Sequence, residues 1–341
     1  MRPLLHPTLV NGRFGDPALY VETLFEKHAI LFDLGDIMPL SPRKVHRLDH
    51  VFVSHAHIDH FVGFDRLLRI LVGRDKKVAL YGPSGFIDHV HHKLQAYRWN
   101  LADRYPSDLV FVVTDVAASS ETRIAQFRLR NAFAAEPIGA GPLVDNVICS
   151  QPSFRVSAAI LEHRTPCLGF AVEEVAHVNV WKSRLADLGL PVGPWLRELK
   201  QAVIEGRPAH HLLRVPAGQS SSDTREMPLA ALRDVVTVTP GQKIAYVTDI
   251  ADTAANRTAV VGLVRNADLL FIEAAFAQAD AGLAAERSHL TTVAAGTIAR
   301  EAQVRRVEPF HFSPRYAEQG QRMLNEVDAA FTGRGPQEAG A

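Results

Sequence analysis

Three imidazoles and a carboxylate fall within the six residues from His55 to His60, "HAHIDH", directly after the apolar run Val51-Phe52-Val53. Burying such a cluster uncompensated costs several kcal/mol, because polar groups taken from water must be paired or neutralised. A metal ion supplies the missing partner: imidazole nitrogens and a carboxylate oxygen bind zinc at ~2.0–2.2 Å with no cysteine required. Alternate side chains of an extended segment share a face, so His55 and His57 point the same way, while Asp59 and His60 project from the turn into a following helix. Four donors this close can serve two ions. Such a pair, ~3.5–4 Å apart and sharing a carboxylate, makes water a nucleophile at neutral pH.

The elements around this loop give it a frame. The run "HVFVSH" (50–55) reads as a strand, preceded by strand-like "ALYVETLF" (18–25) and "HAILFDLG" (28–35) and a helix-like "SPRKVHRL". Alternation follows: a helix in "FDRLLRILV", a strand in "KVALYGP" ended by Gly82-Pro83, a Ser-capped helix in "SGFIDHVHHKLQAY" and a strand in "DLVFVVTDV". Residues 123–130 and 147–174 read as further strands. The second half repeats the manner with "KIAYVTDI", a helix near 253–265, "DLLFIEAAF", a helix over about 290–303, "RRVEPFHF" and a closing helix over about 315–331. This order predicts an α/β fold of two mixed halves, helices outside facing sheets. Between about 175 and 240 the pattern changes to a Pro/Gly-rich stretch with one helix-like piece, "WLRELKQA", and a segment of that length without structure of its own is functional or disordered. The tail from about 332 to 341 reads as mobile, and no internal repeat is present.

A chain of 341 residues is long enough to bury roughly three quarters of its unfolded surface. Apolar residues at 47% and charged residues at 22% fit a globular protein, and the longest apolar runs fall far short of the ~20 needed to span a bilayer. The N-terminal "MRPLLHPTLVNGRFGD" lacks the sustained apolar core of a secretory signal, so a cytoplasmic location is expected. Cys149 and Cys167, outside any CxxC spacing, read as buried free thiols. The 37 basic residues balance 37 acidic ones, so a polyanionic partner would have to be met by a local patch or by the metal site. "HVHHKLQAYRW" reads as a solvated helix face with Trp99 turned into the core, His210-His211 as a loop pair, and "GRFGDP" as no phosphate-binding loop, for want of the Lys-Ser/Thr ending.

"HAHIDH" after a buried strand resembles the signature of the metallo-β-lactamase superfamily of dinuclear hydrolases. The resemblance implies an αββα sandwich in one domain over residues 1–341. Further ligands are then due at later strand ends, where "AAILEHRTP" offers His163, "IAYVTDI" Asp249 and "VEPFHFSPRY" His311. Carried over position by position, His55, His57 and His163 would hold one metal, Asp59, His60 and His311 the other, and Asp249 would bridge them. Longer strings are similar to ribonuclease Z, the endonuclease that removes the 3′ trailer from tRNA precursors. "LEHRTPCLGFAVEE" resembles its third motif through His163, Gly169, Phe170 and Glu173. "FIEAAF", "HLT" and "HFSPRY" resemble its C-terminal block, and "LADLGLPVGPWLRELKQAVIEGR" its tRNA-clasping arm, with Gly193-Pro194. The likeness covers most of residues 28–320.

That resemblance implies His289 as general acid steered by Glu273, Asp59 orienting the attacking water besides holding a metal, and Ser313 and Arg315 near the scissile phosphate. It implies two Zn2+ ions, or Mn2+, a tRNA precursor as substrate, and a homodimer. The chain departs from the family in "LVNGRFGDPAL" and "DLGDIMPL", where Gly-rich "GTG" and "DCGEGTQ" strings are usual, and in an arm whose six basic residues face five acids between 173 and 214. Those departures leave open a hydrolase of small substrates, such as a cyclic nucleotide or another phosphodiester. A non-enzymatic binding protein on the same scaffold is the remaining class, opposed by the complete ligand set.

Overall fold

The computed structural model describes residues 4–24, 28–217 and 223–334, so the tail expected to be mobile lies largely outside the described residues. The first sheet runs in chain order: β1 (Leu5–Leu9), β2 (Leu19–Thr23), β3 (Ala29–Phe32), β4 (Leu48–Phe52), β5 (Lys76–Pro83), β6 (Leu109–Val116), β7 (Glu121–Arg128) and β8 (Ala135–Pro142). Strands β3 to β6 are parallel and the flanking pairs antiparallel. Between them lie α1 (Pro42–His46), α2 (Ile58–Phe61), α3 (Phe64–Leu71) and α4 (Phe86–Gln95). Parallel strands need crossovers, and helices packed on one face provide them.

Then come β9 (Val147–Ser150), β10 (Phe154–Glu162) and β11 (Pro166–Glu174), the inserted strands β12 (His177–Val180), β13 (Leu212–Pro216), β14 (Thr224–Pro228) and β15 (Val236–Thr239), and finally β16 (Lys243–Val247), β17 (Leu269–Glu273) and β18 (Val307–Phe310). The second sheet has the order β18-β17-β16-β11-β10-β9, with β16, β17 and β18 parallel. Its helices, after the inserted α5 (Lys182–Asp187) and α6 (Leu196–Ile204), are α7 (Ala254–Val264), α8 (Ala281–Arg287), α9 (Thr292–Glu301) and α10 (Gly320–Thr332).

Three apolar layers result. Phe32, Phe52, Phe170 and Tyr246 fill the space between the sheets, while Phe64, Leu67 and Phe86 pack α3 and α4 outside the first sheet and Val260, Ile298 and Met323 pack α7, α9 and α10 outside the second. The αββα expectation holds. The helix predicted with a serine cap starts one residue later: Gly85, at φ 89°, is the cap residue, and the buried Asp115 carboxylate accepts from the Gly85 and Ile87 amides. An acceptor brought by a neighbouring strand has replaced the local cap.

Residues Glu174–Gly241 form a second compact unit, entered after β11 and left before β16. The sequence suggests one short helix there, whereas this unit has the ribbons β12·β15 and β13·β14, helices α5 and α6, and its own core of Leu185, Leu190, Leu199, Leu213, Val215 and Leu232. Strands of four or five residues are too short to print a clear alternation, and a lone two-stranded ribbon gains stability only by packing on something else.

Candidate metal centre and active site

The chemistry gathers where strands of both sheets end. The loop after β4 carries His55 and His57, and α2 carries Asp59 and His60. His163 follows β10, Asp249 lies just beyond β16, Glu273 ends β17, and His311 follows β18. The loop after β4 can turn so tightly because Gly63 and Gly35 lie back to back: a Cβ on Gly63 would come within 2.2 Å of the Gly35 carbonyl, and one on Gly35 within 2.6 Å of the Asp59 carbonyl.

Asp249 is the hub. Its Oδ2 lies 3.7 Å from His55 Nε2, 3.4 Å from His60 Nε2 and 3.5 Å from His163 Nε2, and its Oδ1 lies 3.0 Å from His311 Nε2. Donor atoms of His55, His57, His163 and Asp249 all lie within 4.8 Å of one another, as do those of Asp59, His60 and His311. Ligands at ~2.0–2.2 Å around a tetrahedral ion are separated by about 3.3–3.6 Å, so these spacings fit shared cations.

The far ring nitrogens agree. His163 Nδ1 donates to the Ser288 carbonyl at 2.8 Å, and His60 Nδ1 donates to Asp33 Oδ2 at 2.9 Å, which turns both Nε2 atoms toward Asp249. His60 Nε2 is fully buried and has no hydrogen-bond partner. An orphaned nitrogen in that position is what a ligand to an ion looks like without the ion. Burial and the neighbouring His60 push His55 down to about 2, keeping it the neutral imidazole that ligates. Burial opposes ionisation of Asp249, but His311 and His60 outweigh it and hold the carboxyl well below its usual range.

Behind His60 sits a carboxylate from outside the "HAHIDH" string. Asp33, fully buried just past β3, accepts from the Ser54 amide (2.6 Å), the Ser54 hydroxyl (2.9 Å) and the Tyr246 hydroxyl (2.8 Å) besides His60. The rule that found Asp249, a ligand-type residue just past an apolar run, also points to Asp33 in "AILFD". Three of these site residues occupy left-handed backbone: Asp33 at φ 60°, Asp249 at φ 40° and His311 at φ 57°. Such conformations cost of order 1–3 kcal/mol each and persist where the surroundings over-determine them.

Beside the cluster, His289 Nδ1 lies 3.1 Å from Glu273 Oε2, and Glu273 Oε1 accepts from the Ile250 amide at 2.8 Å. Glu273, His289 and Asp249 also come within metal-holding distance of one another, but both Glu273 oxygens are already engaged, which suits orientation of the imidazole better than ligation. Burial works against a charged His289, yet Glu273 outweighs it and raises the pKa to about 9.

A cavity of about 320 Å3 opens over this floor, walled by Phe14, Asp16, Phe276, Arg287, Phe312 and Ser313. Phe14 and Asp16 belong to the "GRFGDP" stretch, to which sequence reasoning assigns no role. Arg13 brings it there through an ion pair with Glu308 and a carbonyl that accepts from the Phe312 amide. Ser313 lines the cavity. Arg315 does not line it: its guanidinium lies 3.9 Å from Asp280 and over the rings of Phe276 and Tyr316. Gly193 and Pro194 lie in the inserted unit, on a groove of about 770 Å3 that also presents Lys182, Arg197 and Lys200 and no acid. The even charge balance of that segment conceals this grouping. No metal-holding group is found at His210-His211 among the described residues, where His211 bonds Arg207 instead.

Residues 31–207 match the β-lactamase superfamily domain. Over 313 residues the chain is 34% identical to ribonuclease Z of Deinococcus radiodurans, covering 89% of this chain and 88% of that one. The chain belongs to the ribonuclease Z family. Ribonuclease Z of Thermobifida fusca is 32% identical over 91% of this chain and 83% of its own length. Among solved structures, human tRNase Z, short form, superposes with a TM-score of 0.52 at 19% identity over 92% of each chain, a likeness of fold. Membership of the ribonuclease Z family makes this a metal-dependent hydrolase with a His/Asp cluster of the dinuclear kind. No helix among the described residues is long and apolar enough to cross a membrane.

Proposed function

We propose that this ribonuclease Z family member cuts the 3′ trailer from tRNA precursors, leaving a 3′-hydroxyl on the tRNA and a 5′-phosphate on the trailer. The observation that carries the reading is the Glu273–His289 pair set beside the seven-residue ligand cluster. His55, His57 and His163 would hold one cation, Asp59, His60 and His311 a second, and Asp249 both. Zinc suits the donors, and manganese accepts them too. Such cations activate water and neutralise charge growing on the phosphoryl oxygens.

The rest falls to the chain itself. As the P–O3′ bond breaks, the departing oxygen needs a proton, and His289, held by Glu273 through Nδ1, presents its other nitrogen to supply it. Asp59, partly exposed beside the cluster, orients the incoming water. The Ser313 hydroxyl at the cavity wall donates to a phosphate oxygen. Lys182, Arg197 and Lys200, with the Gly193-Pro194 turn, provide a cationic groove for the RNA backbone. A homodimer accompanies this reading.

The test is incubation of a 3′-trailered tRNA precursor with purified protein and Zn2+ or Mn2+, with and without chelator. A single chelator-sensitive cut just after the discriminator base is expected. No cut by protein that still hydrolyses bis(p-nitrophenyl) phosphate would move the substrate to a small phosphodiester.

A further inference from the structure

A phosphodiester chain brings one negative charge per residue, yet the cavity wall carries the carboxylates of Asp16 and Asp59. Cations at the floor offset one phosphate, the one being cut. The neighbouring phosphates of a polynucleotide must then pass the rim, and the rim needs a cation of its own.

The residue suggested by "HFSPRY", Arg315, is turned aside toward Asp280 and the Phe276 and Tyr316 rings. Arg287 is the one Lys or Arg side chain among the described residues of the cavity wall. It is exposed and engages no acid, carbonyl or ring among the described residues. Its position is fixed all the same. Arg287 is the last residue of α8, and Ser288 ends the helix in left-handed backbone at φ 60°. The Ser288 carbonyl accepts from His163 and its hydroxyl from Arg164 at 3.1 Å, while the His289 amide bonds the Ala284 carbonyl. The turn that delivers His289 to the leaving oxygen thus delivers Arg287 to the rim beside it.

We propose that Arg287 grips the phosphate next to the scissile one, and so makes the site select polynucleotides over isolated diesters. This rests on the nuclease reading above. The guanidinium fork matches two phosphate oxygens at once, whereas a lysine offers only a point charge.

The experiment measures binding rather than turnover, so that it survives failure of the tRNA assay. Metal-loaded wild type, Arg287→Ala and Arg287→Lys are titrated calorimetrically with adenosine 3′,5′-bisphosphate and adenosine 5′-monophosphate. Wild type should favour the bisphosphate, Arg287→Ala should reduce that preference by about tenfold or more, as for a lost charge-assisted contact, and Arg287→Lys should recover part of it. With tRNA precursor, the KM of Arg287→Ala should rise more than kcat falls, and the log–log salt slope should shrink by about one ion. Arg305→Ala, which removes an exposed arginine paired with Asp268 just ahead of β18, serves as the control and should leave both readings alone. An unchanged bisphosphate-to-monophosphate ratio in Arg287→Ala would overturn the assignment. Absence of precursor cleavage by wild type, with the ratio still dependent on Arg287, would remove tRNA as the substrate and keep the rim contact.

Discussion

In the sandwich the chemical groups are hidden, and in the inserted unit they are displayed. His55, His60, Asp249 and Glu273 expose almost nothing, each locked by neighbours on at least two elements. Lys182, Arg197 and Lys200 are exposed, on a groove whose core of leucines and valines lies beneath them. The two arrangements obey different arithmetic. A buried set acts as one object, since removing a member leaves the others unpaired in a medium of low dielectric. An exposed set adds charge by charge against solvent and salt.

The contrast can be broken at graded points. Asp249→Ala should strip bound metal and activity together, a loss beyond the ~10²–10³-fold typical of one missing transition-state donor. Metal analysis beside a cleavage assay decides it, and full metal content with normal turnover would refute the hub. His289→Ala should keep both metals and lose ~10²–10⁴-fold in rate, as for a missing general acid; an unchanged rate would reject that role. Asp33→Asn should weaken metal affinity by ~10–100-fold, read by competition with a chelator, while the fold persists. An undiminished affinity would leave Asp33 as a purely structural anchor. The mildest change belongs to the inserted unit. Replacing Lys182, Arg197 and Lys200 with alanine should raise the KM for tRNA precursor severalfold and flatten its salt dependence by roughly two to three ions. An equal loss on bis(p-nitrophenyl) phosphate would mean that the groove supports the fold rather than the RNA.

The sandwich and its floor are legible in the chain because strong signals coincide there: apolar runs that end in His, Asp or Glu. His55, His163, Asp249 and His311 are readable as strand-end residues for that reason. Asp33 meets the same description and is passed over only because it forms no string with other ligands. Strand β8, "AEPIGAGP", is absent from the strands read in the sequence, since an edge strand with solvent on most positions tolerates glycine and proline. The inserted ribbons escape because they are short, and the cationic groove escapes because a residue count cannot tell which charges share a face. Arg287 illustrates the same limit at the site. Motif likeness points to Arg315, three residues past Phe312, and only the ion pairing in space shows which arginine remains available.

The left-handed backbone of Asp249 and His311 has an outcome for anyone engineering this protein. Each position holds conformational strain that a glycine would release, set against the 3.0 Å contact between His311 Nε2 and Asp249 Oδ1. Asp249→Gly sets the release of that strain against buried imidazoles left unpaired, so the melting temperature of the metal-free variant beside its parent measures which of the two is larger.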